Sequence, residues 1–183
     1  GTDSIANHFM VINDQNGMTA KLVDIDVSHG ERLSLDVHSE DSIDGFVVNS
    51  IRNGYMPMIE KQLTEDTIFA SSILAVVAPT LSFSQREIRT IRSQVERGGL
   101  LLVTVGWKES EASRALLAEF GVSVSNVPLG MITAAQNPQD VSLWEAWPIA
   151  TEESANAQVL VAARGYPVVV FVQCGQGGIL AAG

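Results

Sequence analysis

The chain is poor in the residues that most often announce a chemistry. Its 183 residues hold one cysteine, Cys174. A lone thiol excludes an intramolecular disulfide and a cysteine-rich zinc site. Cys174 closes an apolar run beside a glycine turn, and no histidine follows it in the chain. It therefore reads as a small buried hydrophobe rather than a nucleophile. Histidine is nearly as scarce. His8, His29 and His38 are the only three, and their spacing fits no metal-ligand set, so neither a metal nor a cofactor is expected. Basic residues are few: Lys and Arg number 11 against 21 Asp and Glu, a formal net charge of -10. With no basic cluster to offset it, this charge repels phosphate backbones and excludes nucleic acid as a partner. No run reaches the ~18–20 apolar residues of a membrane helix. No signal-peptide pattern, nucleophile elbow of the G-x-S-x-G type, internal repeat or low-complexity tract is present.

What remains is an ordinary globular composition, 46% hydrophobic and 17% charged, which argues against disorder. The length suits one domain over 1–183, with a loose N-terminal segment over 1–20 and an irregular insertion over 130–150. The abrupt start at Gly1-Thr2-Asp3 and the apolar end at Gly183 read as a piece excised from a longer chain. A leader or membrane anchor could have been trimmed from it. An extracytoplasmic location, periplasmic or membrane-anchored, is slightly favoured over a cytoplasmic one.

Periodicity places the elements. A short strand is expected over 9–12 and a firm one over 22–27. Ile43, Phe46, Val47, Ser50 and Ile51 recur at helical spacing, which predicts a helix over 41–53 closed by Gly54. Residues 55–59 read as a strand that Pro57 confines to a sheet edge, because proline lacks the ladder N–H. A turn or short helix over 64–70 leads to the apolar strand 73–78. Ser84 and Glu87 then have capping-box spacing, and Phe83 and Ile88 occupy the positions of a hydrophobic staple. The helix they start ends at Gly98-Gly99 and delivers the strand 100–105. Ser110 is expected to cap a further helix, which Gly121 closes before a strand over 122–127. Strands alternating with helices imply parallel crossovers. The fold class is thus α/β, a doubly wound, mostly parallel sheet of flavodoxin-like order. Three short strands over 157–163, 167–173 and 178–182, split by glycine turns, add an antiparallel C-terminal part whose last strand is buried.

Candidate chemistry concentrates after the first strand, in Asp24-Ile-Asp26-Val-Ser28-His29-Gly30. Alternate strand residues share a face, so Asp24 and Asp26 could serve a phosphatase-type metal site. The later acids and matching lysine of such an enzyme are missing: after Asp66 the only aspartate is Asp140, and Lys108 has no suitable context. The plainer reading has one acid bracing the next loop and the other partly solvated. Ligands of open α/β sheets bind beyond the carboxyl ends of strands, which favours Asp26, Ser28 and His29 as binding residues. Arg86, Arg89, Arg92 and Arg97 read as a solvated helix face. Trp144 and Trp147 read as core or loop anchors.

Three segments carry a resemblance: "SIDGFVVNSIRNGY" (42–55), "ILAVVAPTLSFSQREIRTIRSQVERGGLLLVTVG" (73–106) and "CGQGGILAAG" (174–183). Together they resemble the class I glutamine amidotransferase-like superfamily, above all its non-catalytic branch. That branch includes uncharacterised bacterial domains, auxiliary domains of gliding-motility-type ABC transporters, and the amidotransferase-like domain of intraflagellar transport proteins. The likeness spans roughly 22–183, and "VSHGE" is similar to the segment that follows the first strand of such domains. In catalytic members a cysteine stands on the turn after a central strand. The matching place here is Ala78-Pro79-Thr80, with no cysteine, and no histidine follows His38 to supply the His-x-Glu pair.

The resemblance implies a domain that does not hydrolyse glutamine. It would be a ligand- or protein-binding module of a larger, membrane-associated protein, with a transporter or anchor outside this chain. Its site would be Asp26, Ser28, His29, Pro79, Thr80 and Trp107. The alternative is a hydrolase using Asp26, Ser28 and His29 at the same cleft. A third reading is an assembly domain, a homodimer included, that docks through an exposed sheet edge or the tryptophan segment.

Overall fold

A computed structural model describes residues 21–183 except 35, 37, 38, 40, 41, 137 and 138, with side chains also left undescribed over 134–142 and at 144. The strand expected over 9–12 lies outside the described residues. The first strand, β1, is Lys21–Asp26, followed by α1 (Asp44–Arg52), β2 (Tyr55–Glu60), α2 (Glu65–Ala70), β3 (Ile73–Val77), α3 (Gln85–Glu96), β4 (Leu100–Thr104) and α4 (Ser110–Ala118). The C-terminal part is all strand: β5 (Val122–Val124), β6 (Gly130–Gln136), β7 (Gln139–Ala146), β8 (Ile149–Thr151), β9 (Ala157–Ala163), β10 (Tyr166–Cys174) and β11 (Gly177–Ala182). Among the described residues no helix is long and apolar enough to cross a membrane.

The main sheet has seven strands in the order β2-β1-β3-β4-β11-β10-β9. β2, β1, β3, β4 and β11 run parallel, and β10 and β9 are antiparallel additions. This is the mixed, flavodoxin-like α/β sheet expected from the alternation of elements. β2 lies at an edge, where Pro57 costs no ladder hydrogen bond. One part of the expected order is corrected. The stretch 122–127 was to supply the last parallel strand. Instead β5 is three residues long and pairs only with β8 in a separate ribbon. Its place beside β4 is taken by β11, whose register runs Gly178 to Leu100 through Ala182 to Thr104. The segment expected to be irregular is also corrected, since β6 and β7 form an antiparallel hairpin.

The sheet faces sort the side chains. Val23, Ile25 and Ala75 form a core with Phe46 and Val47 of α1 on one face. Leu74, Val76, Leu101 and Val103 point to the other, where Ile68 of α2, Ile88, Ile91 and Val95 of α3, and Leu116 and Leu117 of α4 complete the main core. A smaller cluster, with Leu129, Ile132 and Ala146, ties the hairpin to Val161 and Val168. Because residues alternate along β1, Asp24 and Asp26 face the side of α2 and α3.

The α3 start follows its sequence signals. The Ser84 hydroxyl accepts from Glu87 N at 3.3 Å, Ser84 N donates to Glu87 Oε2 at 2.7 Å, and Phe83 and Ile88 are both buried. The α4 start does not. Ser110 is the first helical residue, and its hydroxyl donates back to the Trp107 carbonyl at 2.6 Å, while Glu109 holds the cap position.

Candidate functional site

β1 leads left to β2 and, past itself, right to β3, so the chain reverses direction between β1 and β3. The loops leaving these two strands meet at that reversal, where open α/β sheets place their ligands. Their contact is made by backbone: Thr80 N and Leu81 N both donate to the His29 carbonyl at 2.9 Å, and the Thr80 hydroxyl donates to the Gly30 carbonyl at 2.8 Å. Gly30 has φ +63, and a Cβ there would lie 2.5 Å from the Thr80 hydroxyl oxygen, so glycine is required twice over. Ala78 also takes a left-handed φ, of 47, at the exit of β3. That turn is strained for a residue with a side chain. The side chain is a methyl group, so it offers no nucleophile.

Asp26 organises the β1 exit. It is fully buried, and its Oδ1 accepts from Ser28 N at 2.9 Å and from the Ser28 hydroxyl at 2.7 Å. Its Oδ2 lies 2.7 Å from His29 Nδ1. The His29 ring is buried and stacks on Phe83 at 3.8 Å between centroids. Its other nitrogen, Nε2, stands 3.6 Å from Glu87 Oε2. Glu31 turns back to accept from His29 N, its Oε2 at 3.0 Å, which brings its carboxyl beside that of Asp26. Asp26, His29 and Glu31 thus bring one donor atom each within 4.8 Å of one another.

Burial disfavours charge here, and the hydrogen bonds decide where charge remains. Burial pushes Asp26 upward, but hydrogen bonds from His29, Glu31 and Ser28 outweigh it and leave Asp26 below its usual range. Burial works against the His29 cation, yet the Asp26 hydrogen bond and the charges of Asp26, Glu87 and Glu31 raise it. Glu31 is pushed up to about 8, first by burial and then by sharing a proton with Asp26. Asp24 is raised to about 6 by burial and the nearby Glu60 charge. The expectation that one acid of the pair would be partly solvated is corrected: Asp24 is 2% exposed and Asp26 0%.

Asp26, Ser28, His29, Pro79 and Thr80 are therefore gathered at one place. Trp107 stands apart in the loop after β4 and is 40% exposed. Its neighbour Glu109 makes the link to the β1 loop, since Arg32 Nη1 lies 2.9 Å from the buried Glu109 Oε1. Trp147 approaches Gly106 at the same loop, while the Trp144 side chain lies outside the described residues. Cys174 is buried, and burial raises its thiol. Glu31, Phe83, Glu87 and Glu109 are the residues that sequence reading missed. Phe83 and Glu87 were visible only as staple and capping-box members. Histidine spacing alone could not reveal a donor set made of one histidine and two acids.

A cavity of about 300 Å³ opens beside this network. Its wall runs from the loop after β2 (Gln62, Leu63, Thr64) across Ile68 of α2 to Ser84, Glu87 and Thr90 at the start of α3. Glu87 is the shared member, in the wall and beside His29.

Three residues that could form a catalytic relay do not form one. The Ser28 hydroxyl lies 3.0 Å from His29 Nδ1, the nitrogen that Asp26 also holds. A relay needs the hydroxyl on one ring nitrogen and the carboxylate on the other.

No protein-family model matches the chain, and no curated protein matches it. Solved structures do. The mmIFT52 N-terminal domain is 15% identical with a TM-score of 0.68, over 89% of this chain and 86% of that one. The exo-beta-1,4-mannosidase Op5Man5 from Opitutaceae bacterium strain TAV5 is 14% identical with a TM-score of 0.59, over 90% of this chain but 31% of that one. A ThuA-like protein from Bacteroides uniformis is 9% identical with a TM-score of 0.54, over 93% and 84%. At such identities the likeness is one of fold: a flavodoxin-like α/β domain that recurs beside several functions.

Proposed function

We propose that the chain is a non-catalytic binding module of the class I amidotransferase-like kind, and that its ligand is a small polar molecule held in the cavity beside Glu87. The observation that carries this reading is the cavity's position. It lies beyond the carboxyl ends of the parallel strands, beside the reversal of strand order, with its wall joined to a buried polar network through Glu87. Hydroxyls of Thr64, Ser84 and Thr90 and the amide of Gln62 supply hydrogen bonds, over an apolar floor of Leu63 and Ile68. Such a mixture of apolar wall and few polar groups is what small-molecule sites present. Support for a non-catalytic role comes from Ala78, a methyl group at the place of the family nucleophile, and from the shared ring nitrogen of His29. A module of this kind works within a larger, membrane-associated assembly.

The test is a fragment screen by ligand-observed NMR on the full chain, with Gln62→Trp as the blocked control, since Gln62 is exposed at the cavity wall. Ligands displaced by Gln62→Trp support the reading. Hits indifferent to that substitution overturn it. Glutaminase and esterase turnover that disappears in Ser28→Ala would instead establish the hydrolase.

A further inference from the structure

The geometry points to a divalent metal site at Asp26, His29 and Glu31, of the class that takes mixed nitrogen and oxygen donors, as Zn²⁺ does. The site stands whether or not the neighbouring cavity holds an organic ligand.

The donor set is the first ground. One imidazole nitrogen and two carboxylate oxygens lie within 4.8 Å of one another, in residues that are buried, buried and half-buried. All three come from a six-residue stretch closed by the Gly30 turn and pinned by the backbone bonds to Thr80 and Leu81. Little ordering would remain to be done on binding. An imidazole with carboxylates suits zinc and its transition-metal neighbours. Magnesium and calcium prefer oxygen alone.

The shell around the donors is the second ground, and it is independent of the first. Metal-bound histidines hand their other ring N–H to a carboxylate or carbonyl, and bound carboxylates are themselves hydrogen-bonded. Both carboxylates have such hydrogen bonds, and the histidine ring has a carboxylate facing it. With Nδ1 as the donor atom, Nε2 faces the Glu87 carboxylate at 3.6 Å. The α3 capping box holds that carboxylate in place through Ser84 N. Phe83 fixes the ring plane from one side. Ser28 N and its hydroxyl hold Asp26 Oδ1, and His29 N holds Glu31.

The experiment is calorimetric titration of the chelator-treated full chain with ZnCl₂, and with MgCl₂ in parallel. Saturable one-to-one Zn²⁺ binding, with Mg²⁺ at least tenfold weaker, is expected. Glu31→Gln should lose more than tenfold in affinity, and Glu87→Gln about tenfold, as loss of a supporting partner does. Both substitutions keep side-chain size, and circular dichroism and a thermal melt establish that they fold. The His8→Gln, His38→Gln double variant should bind unchanged. In a ¹⁵N spectrum of the labelled histidines, Zn²⁺ should shift the Nδ1 signal of one ring. Absence of saturable binding overturns the proposal. So does binding that survives Glu31→Gln, or binding that is lost with His8 and His38.

Discussion

The two ends of one sheet are built on opposite principles. At the amino end of β4 and β11 the chain closes with backbone against backbone. A Cβ on Gly177 would lie 2.0 Å from the Gly99 carbonyl oxygen and 2.5 Å from that of Val95, and one on Gly175 would meet Glu96 O at 2.6 Å. Among the described residues no charged side chain is buried there; the α3 terminus packs directly onto the β10–β11 turn. At the carboxyl end of β1 and β3 the buried groups are Asp24, Asp26 and His29, with Glu109 beside β4. Burying charge costs stability unless each group is paired. The amino end therefore secures the fold, and the carboxyl end spends some of that stability on reactive groups held in fixed positions.

Four perturbations test that contrast, from the largest effect downward. Gly177→Ala should destabilise the domain by about 3 kcal/mol or more, because the clash is with carbonyl oxygens that cannot rotate away. Urea denaturation of the variant checks this, and a loss below ~1 kcal/mol would show that the amino end can yield.

The second perturbation is pH, and it acts at the other end. With chelator present, Glu31, raised from 4.5 to about 8, and Asp24, raised from 3.8 to about 6, bind protons that the unfolded chain has already released. His29, raised from 6.5, acts in the same direction at higher pH. Asp26, lowered from 3.8, acts oppositely, but its contribution is lost only under acid conditions. Stability should thus fall as pH rises from about 5 to about 8, by about 2 kcal/mol, or ~4–8 °C in the thermal midpoint. Glu31→Gln should flatten that slope, and a slope unchanged by it would place the titration elsewhere.

Third, Ser84→Ala should cost about 1 kcal/mol by removing the α3 cap. The Glu87 carboxylate is held by Ser84 N, which the substitution keeps, so the His29 ring titration followed by NMR should stay in place. Last, Trp107→Ala should change stability by less than ~0.5 kcal/mol, since the ring is 40% exposed and off the network.

Local signals were the legible ones. The Ser84–Glu87 box, the Phe83–Ile88 staple, the glycine stops and the edge position of Pro57 are each decided by a few neighbouring residues, and each is present in the structure. Two elements were miscast because their partner is distant. Residues 122–127 and 178–182 are both short apolar runs, and pattern alone does not say which one pairs with β4. The β6–β7 hairpin was hidden because its small and polar residues lack a strand's alternation. For the candidate site, Asp26, Ser28, His29 and Thr80 were legible because strand ends at a reversal of order carry ligands. Trp107 was placed there as well, and it lies apart.

By itself, then, the sequence determined a doubly wound α/β domain, the start and stop of α3, and an unusual polar exit from β1. Those follow from periodicity and from residues a few positions apart. Only the tertiary structure decided that β11 completes the parallel sheet, that Asp24 and Asp26 are both buried, and that Glu87 of α3 stands behind the ring of His29. Each depends on segments separated by tens of residues along the chain. Their meeting is set by the summed burial of the core rather than by any local preference.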